Sequence, residues 1–157
     1  MHVHLMINGH SDYTHWDKTY MKIQKDVIMP SSAHQLLLAG VTSARDLGGP
    51  LEASLSVRDR INKGEIPGPT MYMSGPFIQH EPYPGTQEFR WGVKGPEDAR
   101  AKVKQLAAKA GVNCIKLIDQ DEMTEAEYMA VVDEAHKNKL KVVAHSHRPD
   151  EIRRGMK

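Results

Sequence analysis

A chain of 157 residues with 39% hydrophobic and 26% charged side chains can build one sizeable core, and nothing in its composition points to two. The formal charge of +1 leaves no electrostatic footprint for nucleic acid or anionic lipid, and no apolar run approaches the roughly 20 residues of a membrane span. Cys114 is the only cysteine, which excludes an internal disulfide and a cysteine-built zinc site, whereas nine histidines keep a histidine-based metal site open.

The first predicted strand is Met1 to Leu5, followed by a long polar loop through Asp12, Trp16 and Lys25 and a helix from Ser31 or Ser32 to Ala39. Serine suits the N-cap and Gly40 the C-terminal end. A second strand is predicted over Val41 to Arg45. The helix after it, Leu51 to Lys63, places Leu51, Leu55 and Ile61 near one face and stops at Gly64. Pro67 and Pro69 lead into a third strand, Thr70 to Ser74. The connection that follows is rich in Gly, Pro and aromatics and runs for about twenty residues, longer than most loops in compact domains. A helix from Pro96 to Ala110 has the proline and acidic first turn that the helix dipole favours, and Cys114 to Ile118 is the fourth strand. Thr124 and Glu127 spell a capping box for a helix reaching Asn138, Lys141 to His145 is the fifth strand, and another helix starts near Pro149. Strands alternating with helices imply an α/β fold of about five βα units with parallel strands, over a single domain 1–157. In such folds functional groups gather where strand C-termini meet the next loop.

Three features fall at such ends. In His2-Val3-His4, strand alternation sends both imidazoles to one face, and two neutral imidazoles converging on a point can bind a metal. The pair alone is weak, since surface histidines give the same pattern by chance. Lys116 interrupts the apolar run Cys114 to Ile118, where an ammonium loses hydration; it either faces a polar interior, snorkels, or is modified, for instance to a carbamate able to bridge two metal ions. His145 closes the run Val142-Val143-Ala144, with His147 two residues on. A hydrogen-bonded structural histidine is the alternative for His145, and a structural ion-pair or hydrogen-bond network, rather than catalysis, is the simplest reading of Arg45-Asp46.

His2-Val3-His4-Leu5, the stretch Gly40 to Gly49 with Arg45-Asp46-Leu47-Gly48-Gly49, Ile66-Pro67-Gly68-Pro69, Ile115-Lys116 and Val143-Ala144-His145 together resemble the amidohydrolase superfamily, in its imidazolonepropionase-related and prolidase-like branch. The resemblance implies a partial TIM (β/α)8 barrel, hydrolysis of carbon–nitrogen bonds in a small amide, cyclic amide or dipeptide-like substrate, and one or two divalent ions, commonly zinc. It makes His2 and His4 ligands of one metal, Lys116 a carboxylated bridging ligand and His145 a ligand of the second. His80 and His147, on loops over the same end, become candidate substrate contacts.

The same resemblance implies a sixth-strand histidine and an eighth-strand aspartate that no residue here supplies, so the catalytic base is unassigned. With a complete barrel near 250 residues, the chain is expected to be a fragment or one part of a split enzyme, completed by another chain or an oligomer. An inactive assembly module is the alternative function. The N-terminus has no basic region leading into an apolar core, which makes the cytoplasm the expected location. A flavodoxin-like sheet would alternate strands and helices too, but there is no glycine-rich phosphate loop after the first strand.

Overall fold

The computed structural model of the chain describes residues 1–7 and 11–156. Strand β1 is His2–Val3, shorter than the predicted five residues because only β2, Ser43–Asp46, pairs with it, in parallel, His2 opposite Arg45 and Val3 opposite Asp46. The polar loop predicted after β1 is instead largely helical. Asp12 caps α1, Tyr13–Tyr20, by accepting from the Thr14 and His15 amides at 2.9 and 3.1 Å. A 3-10 turn at Met21–Ile23 and a π turn at Gln24–Ile28 then run into α2, Met29–Leu38. Trp16, Ile28, Met29 and Ala33 are all buried, but changes of helical pitch between them break the regular 3.6-residue spacing that reveals a helix in sequence.

Helix α3 is Leu51–Asn62 and strand β3 is Thr70–Met73, both close to prediction. The aromatic connection after β3 is not a simple loop: it contains β4, Phe77–Gln79, and β5, Arg90–Gly92, paired in parallel with each other. Helix α4, Pro96–Ala107, ends earlier than predicted, and Arg58 reaches across to donate to the Ala110 carbonyl. Strand β6 is Cys114–Leu117, α5 is Glu125–Lys137, β7 is Lys141–Ala144 and α6 is Pro149–Gly155.

Two parallel sheets result, β1-β2-β3 and β5-β4-β6-β7. They meet because β3 and β4 are consecutive segments separated by the turn at Gly75, whose φ is +73°, and because Asn113 links β6 to β3: its amide donates to Met73 O at 2.7 Å and its side chain accepts from Met73 N at 2.9 Å. The strand positions therefore follow one another as β1, β2, β3 with β4, β6 and β7, the order of the five predicted units.

Alternation divides the residues between two faces. Ala44, Asp46, Met71, Met73, Ile115 and Leu117 face the helices and are buried, forming the core with Val103, Leu106 and Val131. On the other face Ser43, Arg45, Thr70 and Tyr72 are exposed. No helix among the described residues is long and apolar enough to cross a membrane.

Candidate metal centre

The candidate ligands stand on the strands at the face away from the helices, His2 exposed, His4 and His145 part-buried and Lys116 buried. From β1, the His2 and His4 rings turn the same way and bring their Nε2 atoms to 3.1 Å from each other. Their ring planes stand at 69°, and His4 rests against the Phe77 ring with centroids 5.4 Å apart. Phe77 in turn occupies the space where a Cβ on Gly48 would stand, 2.2 Å from its Cζ, and Gly48 has φ +144°. This glycine of the Arg45–Gly49 stretch is what lets the aromatic support of His4 come so close.

Lys116 sits in β6 with 2% of its surface exposed. Burial lowers its pKa; the Cys114 thiol opposes the shift and Arg45 adds to it, and no carboxylate is among the groups acting on it. His145 follows β7 directly, its amide donating to Leu117 O at 3.0 Å, and its ring lies 4.2 Å from that of His147.

Electrostatics places these groups in one neighbourhood. His4 is pushed down to about 4, first by burial and then by His2, Lys116 and His145, with the Gly48 carbonyl opposing. His2 is lowered by burial and by Lys116, Arg45 and His145. His145 is lowered by burial, His147 and Lys116, against the pull of Asp119 and Glu151. All three imidazoles are thus held toward the neutral form, which keeps a ring nitrogen lone pair free for a cation.

The donor set fits a divalent ion in one clear respect. Two metal–nitrogen bonds of about 2.0–2.1 Å at a tetrahedral angle separate their nitrogens by roughly 3.4 Å, close to the observed His2–His4 spacing. Among the described residues no group of three or more His, Cys, Asp or Glu side chains is arranged to hold a metal, so His145 does not stand close enough to complete such a group with His2 and His4.

The other candidates lie further out. The His80 ring is tied through Nδ1 to both Glu127 oxygens at 3.1 Å, and His80 lines a pocket of about 450 Å³ with Glu81, Pro82, Lys94 and Lys102 rather than facing His2. His147 is exposed, and its amide donates to Glu151 at 2.6 Å. Arg45 and Asp46 make no ion pair with each other, because alternation puts them on opposite faces. Asp46 is buried, accepts from the Leu5 amide at 3.4 Å, leaves Oδ2 without a partner and is pushed up by burial to about 7.

Sequence reasoning missed Arg90, Asp119 and Gln120. Arg90 is buried and donates to Gln79 and Asp119 at 2.7 and 3.1 Å; an arginine set between Phe89 and Trp91 was the available signal. Gln120, in a polar run, gave none.

The chain is similar in structure to a prolidase-type protein from Bifidobacterium longum, with 33% identity over 81% of this chain and 34% of that one, at a TM-score of 0.67. It is also similar to a prolidase complexed with N-methylphosphonate-L-proline, with 23% identity over 99% of this chain and 44% of that one and a TM-score of 0.82. The fold is that of the amidohydrolase superfamily. Phenylurea hydrolase B matches it at 18% identity, over 98% of this chain and 43% of its own, with a TM-score of 0.81. These amidohydrolase-type neighbours are all hydrolases, and the chain spans less than half the length of each. No protein-family profile and no curated protein sequence matches it.

Proposed function

We propose that the chain carries the opening βα units of an amidohydrolase barrel that hydrolyses carbon–nitrogen bonds in small amides, cyclic amides or dipeptides. One or two divalent ions, commonly zinc, are held by His2, His4, Lys116 and His145. The observation that carries this reading is the 3.1 Å approach of His2 Nε2 to His4 Nε2, with Lys116 and His145 as electrostatic neighbours.

In this reading the three neutral imidazoles offer ring nitrogens as ligands. Lys116, whose proton is loosened by burial, adds carbon dioxide as the free amine, giving a carbamate and a released proton and turning a repelled cation into an oxygen ligand. A divalent ion there supplies an acidified water and polarises the scissile carbonyl. His147, its ring beside that of His145, contacts the substrate; His80, on the loop after β4 and tied to Glu127, lines a separate pocket. The catalytic base is not assigned to any residue of this chain. A cytoplasmic setting belongs to the same reading.

The test is metal content and turnover. After equilibration with Zn2+ and desalting, elemental analysis is expected to find bound zinc in the chain and to lose most of it in His145→Ala and Lys116→Ala. A sample coexpressed with a segment supplying further barrel strands is expected to cleave Xaa-Pro dipeptides or small amides. Full activity in His145→Ala overturns the assignment.

A second reading is favoured by the exposed face bearing Ser43, Arg45, Thr70 and Tyr72. There the isolated chain is inactive, binds metal weakly and works only against a completing chain or another copy. Hydrolysis by the purified 157-residue chain alone rules it out.

A further inference from the structure

A buried polar layer crosses the strand ends beside the candidate ligands. It begins at Gln79, wholly buried at the end of β4, whose amide nitrogen donates to Glu81 O at 2.7 Å and whose oxygen accepts from Arg90 Nη1 at 2.7 Å. The same Nη1 donates to Asp119 Oδ2 at 3.1 Å, and the guanidinium lies over the rings of Tyr83 and Phe77, 4.8 and 5.3 Å from their centroids. Asp119 has φ +47°, a left-handed backbone that residues with a side chain adopt sparingly, Asp and Asn more readily than most. The turn it makes delivers Gln120, 1% exposed, whose Nε2 donates to the His145 carbonyl at 2.8 Å and to Ser146 Oγ at 2.6 Å. Arg154 closes the turn from the other side by donating to the Gln120 carbonyl at 2.9 Å.

We infer that the Asp119–Gln120 turn, locked by Arg90, is a positioning element that sets where the His145 ring stands over the metal centre. Gln120 grips the backbone of His145 itself and the side chain of the next residue, so the end of β7 cannot shift without breaking two hydrogen bonds from one buried amide. Arg90 fixes the turn that presents Gln120 and also packs on Phe77, which supports His4. One guanidinium is thereby connected to ligands on both sheets. Partners of this kind behind a metal ligand are worth 10–100-fold in metal affinity in other sites.

The role of His145 as a ligand rests on the proposed function, but its placement by Gln120 can be read without any metal. Gln120→Met keeps the length of the side chain and removes both donors. In the metal-free full chain with 15N-labelled histidine, this variant is expected to shift and broaden the His145 ring resonances, leaving those of the exposed His34 and His136 in place. In a Co2+ titration of the same chain its affinity is expected to fall about tenfold or more. Arg90→Lys, which keeps the charge but not the planar fork, is expected to move the same signals in the same direction. Should Gln120→Met not fold, Gln120→Glu serves instead, its carboxylate repelling the His145 carbonyl. Unchanged His145 resonances overturn the positioning role. If the unaltered chain binds no Co2+, the metal reading falls on its own, and the His145 resonances still decide the inference.

Discussion

Lys116 is held where an ammonium is hardest to keep, almost fully buried beside the Arg45 cation and the neutral Cys114 thiol. A buried side chain that costs stability is what a group serving chemistry looks like. Lys116→Met fills the same space without a charge. In urea melts of the metal-free chain it is expected to raise stability by about 1 kcal/mol, while zinc uptake falls at least tenfold. A lower melting midpoint would show that the ammonium has a stabilising partner. Gly48 is the opposite case, a residue retained for space alone. Gly48→Ala drives a methyl into the Phe77 ring from a positive-φ position and is expected to cost about 2 kcal/mol or more, read by thermal denaturation. The candidate ligands could be singled out in sequence, Lys116 and His145 because they interrupt or close an apolar run and His2 and His4 because they alternate along a strand. Arg90, Asp119 and Gln120 were not, since their meaning lies in hydrogen bonds between segments far apart in the chain.

At the level of elements, the start of α5 is the best-determined join. Thr124 Oγ1 accepts from the Glu127 amide at 3.2 Å, and the Glu127 carboxylate accepts from the Thr124 amide at 2.9 Å and the Gly95 amide at 2.8 Å, with His80 at 3.1 Å. Burial works to raise this carboxyl, but the donors from Gly95 and Thr124, with His80, hold it below its ordinary 4.5. A depressed carboxyl stabilises the fold at pH values above 4.5 and gives that stability up as pH falls through the lower folded value. Stability measured from pH 6 down to pH 3 is therefore expected to decline less steeply in Glu127→Gln than in the unaltered chain. Thr124→Ala is expected to cost about 1 kcal/mol at neutral pH. The capping box could be read directly because all its information lies within four adjacent residues. Of the helical stretch 13–38 only the part from Ser31 could be read; the turns before it could not, since they follow three different pitches, and β4 and β5 were hidden in an aromatic segment whose pairing is wholly long-range.

For the whole molecule, the decisive fact is that the face of β2 and β3 turned away from the helices is open, whereas on β6 both faces are buried. Tyr72 is 46% exposed on the open face, beside Arg45 on the neighbouring strand. Surfaces of this kind associate. Sedimentation of the isolated chain is expected to show concentration-dependent self-association, weakened in Tyr72→Thr; a monomer at every concentration counts against it.

The division of the strands into two sheets has a further consequence. His2 and His4 stand on one sheet, Lys116 and His145 on the other, and among the described residues the strand backbones join at the Gly75 turn and the Asn113 link. Such an arrangement invites separate opening of the two halves, as independent cooperative units. An ion shared between them ties the units into one. Hydrogen exchange is expected to report two protection levels in the metal-free chain and a single, higher level once zinc is added, with the amides of Arg45 and Leu47, bonded to β1 and its neighbour, gaining most. The centre would then govern how the fold breathes.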